Sequence, residues 1–292
     1  MKLKQVNTLH LAQRLVQEGE LEALQHLLQE KPELIFWQHP ADNEGRRQSL
    51  LHLVTGWEEK RWSENAKVIA HTLIDQGADI NAKDKEPDGE TALHLAVSIN
   101  NVEVSQVLLE LGAGTELHGK FQSNIDTALG YALFYGADES LEQFRVNCPA
   151  LLLRHGAKVF LPFAAAMNEM NWVKRSFNQH GGLTTAAGIG SRNLLLSQAL
   201  LFACRYGHIE ICDYLLYQGA KINAMIPFFE HYATALHMAC EQGQQTELVN
   251  FLLRKGANPA LKDLIFDATP VGWAMFYGQD EVFRLLHKRN WA

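Results

Sequence analysis

The chain has 292 residues, 47% hydrophobic and 20% charged, the balance of a folded protein rather than a disordered one. Lysines and arginines number 26 against 33 acids, and the net charge of −7 repels phosphate backbones, so no nucleic-acid partner is expected. The longest apolar run, Val159 to Met167, is broken by Pro162 and falls short of the roughly 18 residues that cross a bilayer, so no membrane partner is expected either.

Eight units, each a pair of short helices, are predicted in chain order. In the first, 8–40, Leu11, Leu15, Leu24, Leu27 and Leu28 form a stripe among Gln13, Gln17, Glu20, Gln25 and Gln29, the polar outer pattern that an N-terminal cap needs. The second, 45–82, carries Ser49-Leu50-Leu51-His52-Leu53-Val54, a charged inserted loop with Trp57 and Trp62, and then Gly77-Ala78. The third, 88–117, opens on Thr91-Ala92-Leu93-His94-Leu95-Ala96 and places Val104, Val107, Leu108 and Leu111 at i, i+3, i+4 and i+7 of an amphipathic second helix. The fourth, 125–159, has Thr127-Ala128-Leu129-Gly130-Tyr131-Ala132 and a second insertion from Asp138 to Pro149.

The fifth unit, 161–182, is short and carries no hairpin signature; a glycine-rich linker runs from Gly181 to Ser191. The sixth, 194–224, has Ile211, Tyr214 and Leu215 on its second helix, and the seventh, 229–262, contains Thr234-Ala235-Leu236-His237-Met238-Ala239. The eighth, 266–292, is the predicted C-terminal cap, with Thr269-Pro270-Val271-Gly272-Trp273-Ala274 and a closing run of His287, Lys288 and Arg289 suited to the negative end of a helix dipole. Gly-Ala follows the second helix at Gly77, Gly112, Gly156, Gly219 and Gly256, where a left-handed turn suits glycine. A second glycine, Gly136, Gly207, Gly243 or Gly278, separates the two helices, replaced by Asn100 and Asn168 in two units. Such pairs cannot bury their apolar faces alone and must stack.

The T-A-L-H-x-A copies at Thr91 and Thr234, with the looser ones at Ser49, Thr127 and Thr269, resemble the ankyrin signature T-P-L-H-x-A, and the resemblance runs from about Thr8 onward. It implies an all-α repeat fold: one curved ankyrin solenoid over 1–292, with short β-hairpin loops projecting between units. It also implies that His52, His94 and His237 tie one hairpin to the next, an expectation that Gly130 and Gly272 put in doubt for their own units. The pattern is closest to short bacterial proteins made almost entirely of such repeats. A cytoplasmic location is expected, as no apolar signal core interrupts Met1-Lys2-Leu3-Lys4-Gln5 through Gln13 and Arg14, with delivery into a host cell as the alternative.

Function is expected to be non-catalytic binding of an unidentified protein or peptide by a monomer, on the concave face and hairpin loops that the resemblance implies. The candidates are Tyr135, Arg205, Tyr206 and Tyr277 after the signature alanines, Phe228, Phe229, Tyr232 and Phe266 on the hairpins, and Trp57 and Trp62 as a separate contact. Substituting Phe228 and Phe229 by Ala is expected to weaken binding without unfolding the chain. Two alternatives stand beside this: a small-molecule or enzymatic cleft near units four and five, around His155, Glu169 and His180, and a multi-partner scaffold. No cofactor, catalytic residue or metal is expected, since neither H-E-x-x-H nor Cys-x-x-Cys occurs. Cys204 and Cys240 occupy one position in successive repeats, a helix-packing step of about 8 to 10 Å, beyond the about 7 Å between Cα atoms that a disulfide spans. Both are read as small buried residues.

Overall fold

The computed structural model describes residues 2–38, 47–56, 63–85, 87–121, 123–136, 147–243 and 245–288. The chain divides into two compact units, Met1–Lys158 and Val159–Ala292. In the first, the leading helix of each pair is α1 (Lys2–Glu18), α3 (Leu50–Val54), α5 (Ala92–Ser98) and α7 (Ala128–Phe134). The second helices are α2 (Leu21–Glu30), α4 (Ala66–Asp75), α6 (Val102–Glu110) and α8 (Cys148–Arg154). Leading helices pack on leading helices and second helices on second helices, giving two layers.

In the second unit the leading helices are α9 (Leu161–Ala166), α11 (Arg192–Arg205), α13 (Ala235–Met238) and α15 (Pro270–Phe276), and the second helices are α10 (Met170–Arg175), α12 (Ile209–Tyr217), α14 (Thr246–Arg254) and α16 (Asp280–His287). The leading helices pack on one another in the same way, and of the second helices α14 packs on α16. The stretch 161–182, expected to be short and without a hairpin signature, forms the helix pair α9 and α10. The hairpin β1 (Ile226–Phe228) and β2 (His231–Ala233) is antiparallel, pairing Ile226 with Ala233 and Phe228 with His231. The fold is an all-α repeat stack with a short hairpin.

The inner leading helices α5 and α9 are covered on every side, and each of their residues is buried. Turns follow the sequence. Gly112 sits at φ +94 and Asn100 at φ +55, and the N–H groups of Gly112 and Ala113 return to Leu109 and Leu108 carbonyls at 3.1 and 2.9 Å.

The signature histidines act as capping residues and as ties. The Thr91 N–H donates to His94 Nδ1 at 3.2 Å and the Thr91 hydroxyl lies 2.8 Å from the same atom, a capping box with His in the third position. With Nδ1 accepting, Nε2 carries the proton and donates to the Leu117 carbonyl at 3.0 Å. His52 reaches the Glu90 carbonyl at 3.1 Å and His237 the Ala268 carbonyl at 3.0 Å, so each ties its helix to the following hairpin.

Where glycine replaces this histidine, the next residue is a large ring that fills the space. Tyr131, after Gly130, is fully buried edge-on to His94 with centroids 4.8 Å apart. Trp273, after Gly272, donates its indole N–H to Asp263 Oδ2 at 2.9 Å. The loops are further held by buried aspartates: Asp126 accepts from the Phe121 N–H at 2.6 Å and Asp84 from the Glu90 N–H at 2.8 Å.

Burial lowers the pKa of His52, His208 and His237 and takes His94 down to about 4. A folded-state value below the unfolded one means that stability is fully present above the unfolded imidazole value of about 6.5 and is lost as pH falls through the folded value. For His94 alone the loss approaches about 3 kcal/mol by about pH 4. Urea unfolding at about pH 7 and about pH 4.5 checks this. His94→Gln, which keeps a capping-box acceptor without the titration, is expected to flatten the dependence.

Candidate protein-binding surface

The joint between α11, α13 and α15 is built from residues two positions after the signature alanines. Arg205 follows Ala203 and Cys204; Glu241 follows Ala239 and Cys240. Their side chains form an ion pair, and both residues are buried, Arg205 at 5% exposure. His231 Nε2 stands 3.7 Å from Glu241 Oε1. Desolvation works against the Glu241 carboxylate, but Arg205 and His231 outweigh it and hold the pKa below the ordinary glutamate value. Tyr206 stacks on His208 at 5.9 Å, and burial pushes its phenol up to about 12.

This geometry corrects the expectation that Arg205 offers itself to a partner: its charge is consumed inside the stack. Phe228 and Phe229 are corrected in the same way. Phe228 is completely buried and Phe229 nearly so, each edge-on to Phe202 with centroids 4.7 and 6.3 Å away. The hairpin turns inward over α11, so its rings form core instead of surface. Tyr135 is half-buried, 5.5 Å from the Tyr131 ring and 4.8 Å from that of Phe134. Trp57 and Trp62 lie outside the described residues.

The following loop behaves differently. Leu264, Ile265 and Phe266 are three consecutive exposed apolar residues, at 65%, 56% and 64% exposure. They are held rigidly from beneath by Asp263. Its Oδ1 accepts from the N–H groups of Ile265 and Phe266 at 2.8 and 2.6 Å, and its Oδ2 from Ala268 N–H at 3.1 Å as well as from Trp273. Burial raises the cost of this carboxylate, yet the four donors prevail and its pKa is lowered. The Leu264 N–H donates to the Tyr232 carbonyl at 3.0 Å, which joins this loop to β2. Tyr232 and Tyr277 are half-buried, and Phe276 is open to solvent.

A family model for ankyrin repeats in three copies matches residues 62–162, and a single-repeat model matches 198–225 and 231–264, more than half of the chain together. The chain belongs to the ankyrin-repeat family. It is 27% identical over 267 residues to Rabankyrin-5 of Mus musculus, covering 83% of this chain and 21% of that protein. It is 28% identical over 214 residues to the SH3 and multiple ankyrin repeat domains protein 2 of Homo sapiens, covering 73% of this chain and 9% of that one. The ankyrin chain thus spans a minor part of these curated relatives.

Other features of this ankyrin protein were only partly visible beforehand. Cys148, Cys204, Cys212 and Cys240 are free and buried, and burial raises the pKa of Cys148, Cys204 and Cys240, the opposite of what a nucleophile requires. The Cys204 and Cys212 sulfurs lie 3.5 Å apart, a contact between the two helices of one repeat that i, i+8 spacing alone does not announce. His155 is exposed in the first unit, and Glu169 and His180 in the second. An open groove of about 680 Å³ runs elsewhere, across α10, α12 and α14, lined by Lys174, Tyr214, Tyr217 and Ile222 and by Lys255, which pairs with Asp213 at 2.5 Å. Among the described residues no group of three His, Cys, Asp or Glu could hold a metal ion, and no helix is long and apolar enough to cross a membrane.

Proposed function

We propose that this ankyrin-repeat chain is a non-catalytic protein-interaction module that grips a partner protein or peptide with the loop tip Leu264–Phe266 and the half-buried rings of Tyr232 and Tyr277 beside it. The observation that carries this reading is the rigid display of three adjacent apolar side chains in water. Such exposure is unfavourable in isolation and is characteristic of contact surfaces. A loop already fixed by Asp263 loses little conformational freedom on binding, so more of the interaction appears as affinity. Tyr206 and Tyr135, both half-buried, stand as lesser contacts.

The test is capture from lysate on the immobilised full chain, comparing wild type with the Ile265→Ser, Phe266→Ser double variant. A protein retained by the wild type is expected to be lost from the variant. The melting temperature should stay nearly unchanged, since exposed substitutions shift stability by only about 0.5 kcal/mol. Equal retention by both would remove the loop tip from the binding surface.

A further inference from the structure

Cys204 and Cys212 belong to the two helices of one repeat, α11 and α12, which pack on each other. Both are fully buried, and their sulfurs meet at 3.5 Å. A disulfide bond is about 2.05 Å long, so the sulfurs must close roughly 1.5 Å, a movement that rotation of the two side chains about Cα–Cβ supplies. No other two cysteine sulfurs are in contact among the described residues; Cys148 lies against the Ser105 hydroxyl instead, at 3.5 Å. The sides of α12 are also thinly supported. α4 packs on α6 and α14 on α16, but α12 is packed closely on neither α10 nor α14, and the groove of about 680 Å³ opens there. Outward movement of α12 therefore uncovers the two thiols at less cost than in a repeat whose second helix is flanked by close neighbours.

We propose that Cys204 and Cys212 form a redox-sensitive pair that a peroxide converts to a disulfide, stapling α12 to α11. One sulfur attacks a peroxide oxygen, the O–O bond breaks, and a sulfenic acid and a water result; the second sulfur then attacks the sulfenic sulfur and displaces the second water. The two thiols give up two electrons and two protons, and one hydrogen peroxide takes up both and leaves as two waters. Burial holds Cys204 as a thiol while the repeat is closed, so the reaction runs through the opened form and is slow in the resting protein. The staple then fixes α12, and with it Tyr214 and Tyr217 in the groove.

The test treats the full chain with hydrogen peroxide below its melting transition, follows helicity by circular dichroism, and counts free thiols after unfolding. The four thiols are expected to fall to two with helicity unchanged, peptide mapping should find Cys204 joined to Cys212, and dithiothreitol should restore all four. Cys204→Ser and Cys212→Ser should each form no disulfide, and Cys212→Ala serves if serine is not tolerated in the core. Retention of all four thiols overturns the proposal. So does a disulfide between any other pair, oxygen added to sulfur with no S–S bond, or a Cys204–Cys212 bond that appears only as helicity is lost.

Discussion

Phe228→Ala is expected to destabilise the second unit by about 3–5 kcal/mol, the cost of deleting a fully enclosed ring and leaving its cavity unfilled. Phe228 has no exposed surface and lies edge-on to Phe202 at 4.7 Å and to Phe229 at 5.6 Å, so truncation strips three rings of their mutual contacts. The melting temperature should fall by roughly 6–20 °C. Phe229 adds a backbone component, since it sits at φ +53, where a bulky residue is held only by its surroundings. Its ring, inserted toward Phe202, supplies that hold. Chemical denaturation of the single variants decides the matter: a loss below about 1 kcal/mol for Phe228→Ala would show that the hairpin does not close over α11 as described.

Removing one member of the Arg205–Glu241 pair is expected to cost about 3–5 kcal/mol, because the remaining charge is left buried without its counter-ion. Replacing both by apolar residues, Arg205→Met with Glu241→Leu, should cost far less than the sum of the single changes. The pair also has a pH signature. Glu241 is depressed in the folded state, so its contribution is fully present above the unfolded glutamate value of about 4.3 and disappears as pH falls through the lower folded value. Glu241→Gln should remove that acid-range loss while leaving the His94 dependence, which begins nearer about pH 6.5, in place. A double-mutant cycle in urea at neutral pH measures the coupling. Additive single and double losses would mean that the two charges do not depend on each other.

Much of the architecture is local and therefore readable. Gly112 and Asn100 mark backbone positions that need positive φ, a requirement carried by the residue itself. The histidine reaches its own cap because that partner lies three residues back in each copy, whereas the carbonyl it ties to stands 38, 23 and 31 residues further on, at Glu90, Leu117 and Ala268. Gly130 and Gly272 broke that pattern, but the compensation by Tyr131 and Trp273 depended on where Asp263 and His94 stood in space. It required the packed structure to be seen.

The aromatic residues mark the limit of sequence reasoning. Phe228, Phe229 and Phe266 belong to loops of similar composition, and a hairpin with strands of three residues is too short for alternation to say which side faces inward. Arg205 and Phe276 occupy the same position of the repeat, yet one is buried against Glu241 and the other stands in solvent. By itself the sequence determined the repeat frame, the helix pairs and the turn residues, since each follows from residues a fixed distance apart, while the histidine ties were what the family resemblance implied. Only the tertiary structure decided which rings are core and which are surface, because burial at a given repeat position depends on whether a neighbouring helix pair covers it and on the charge that neighbour brings.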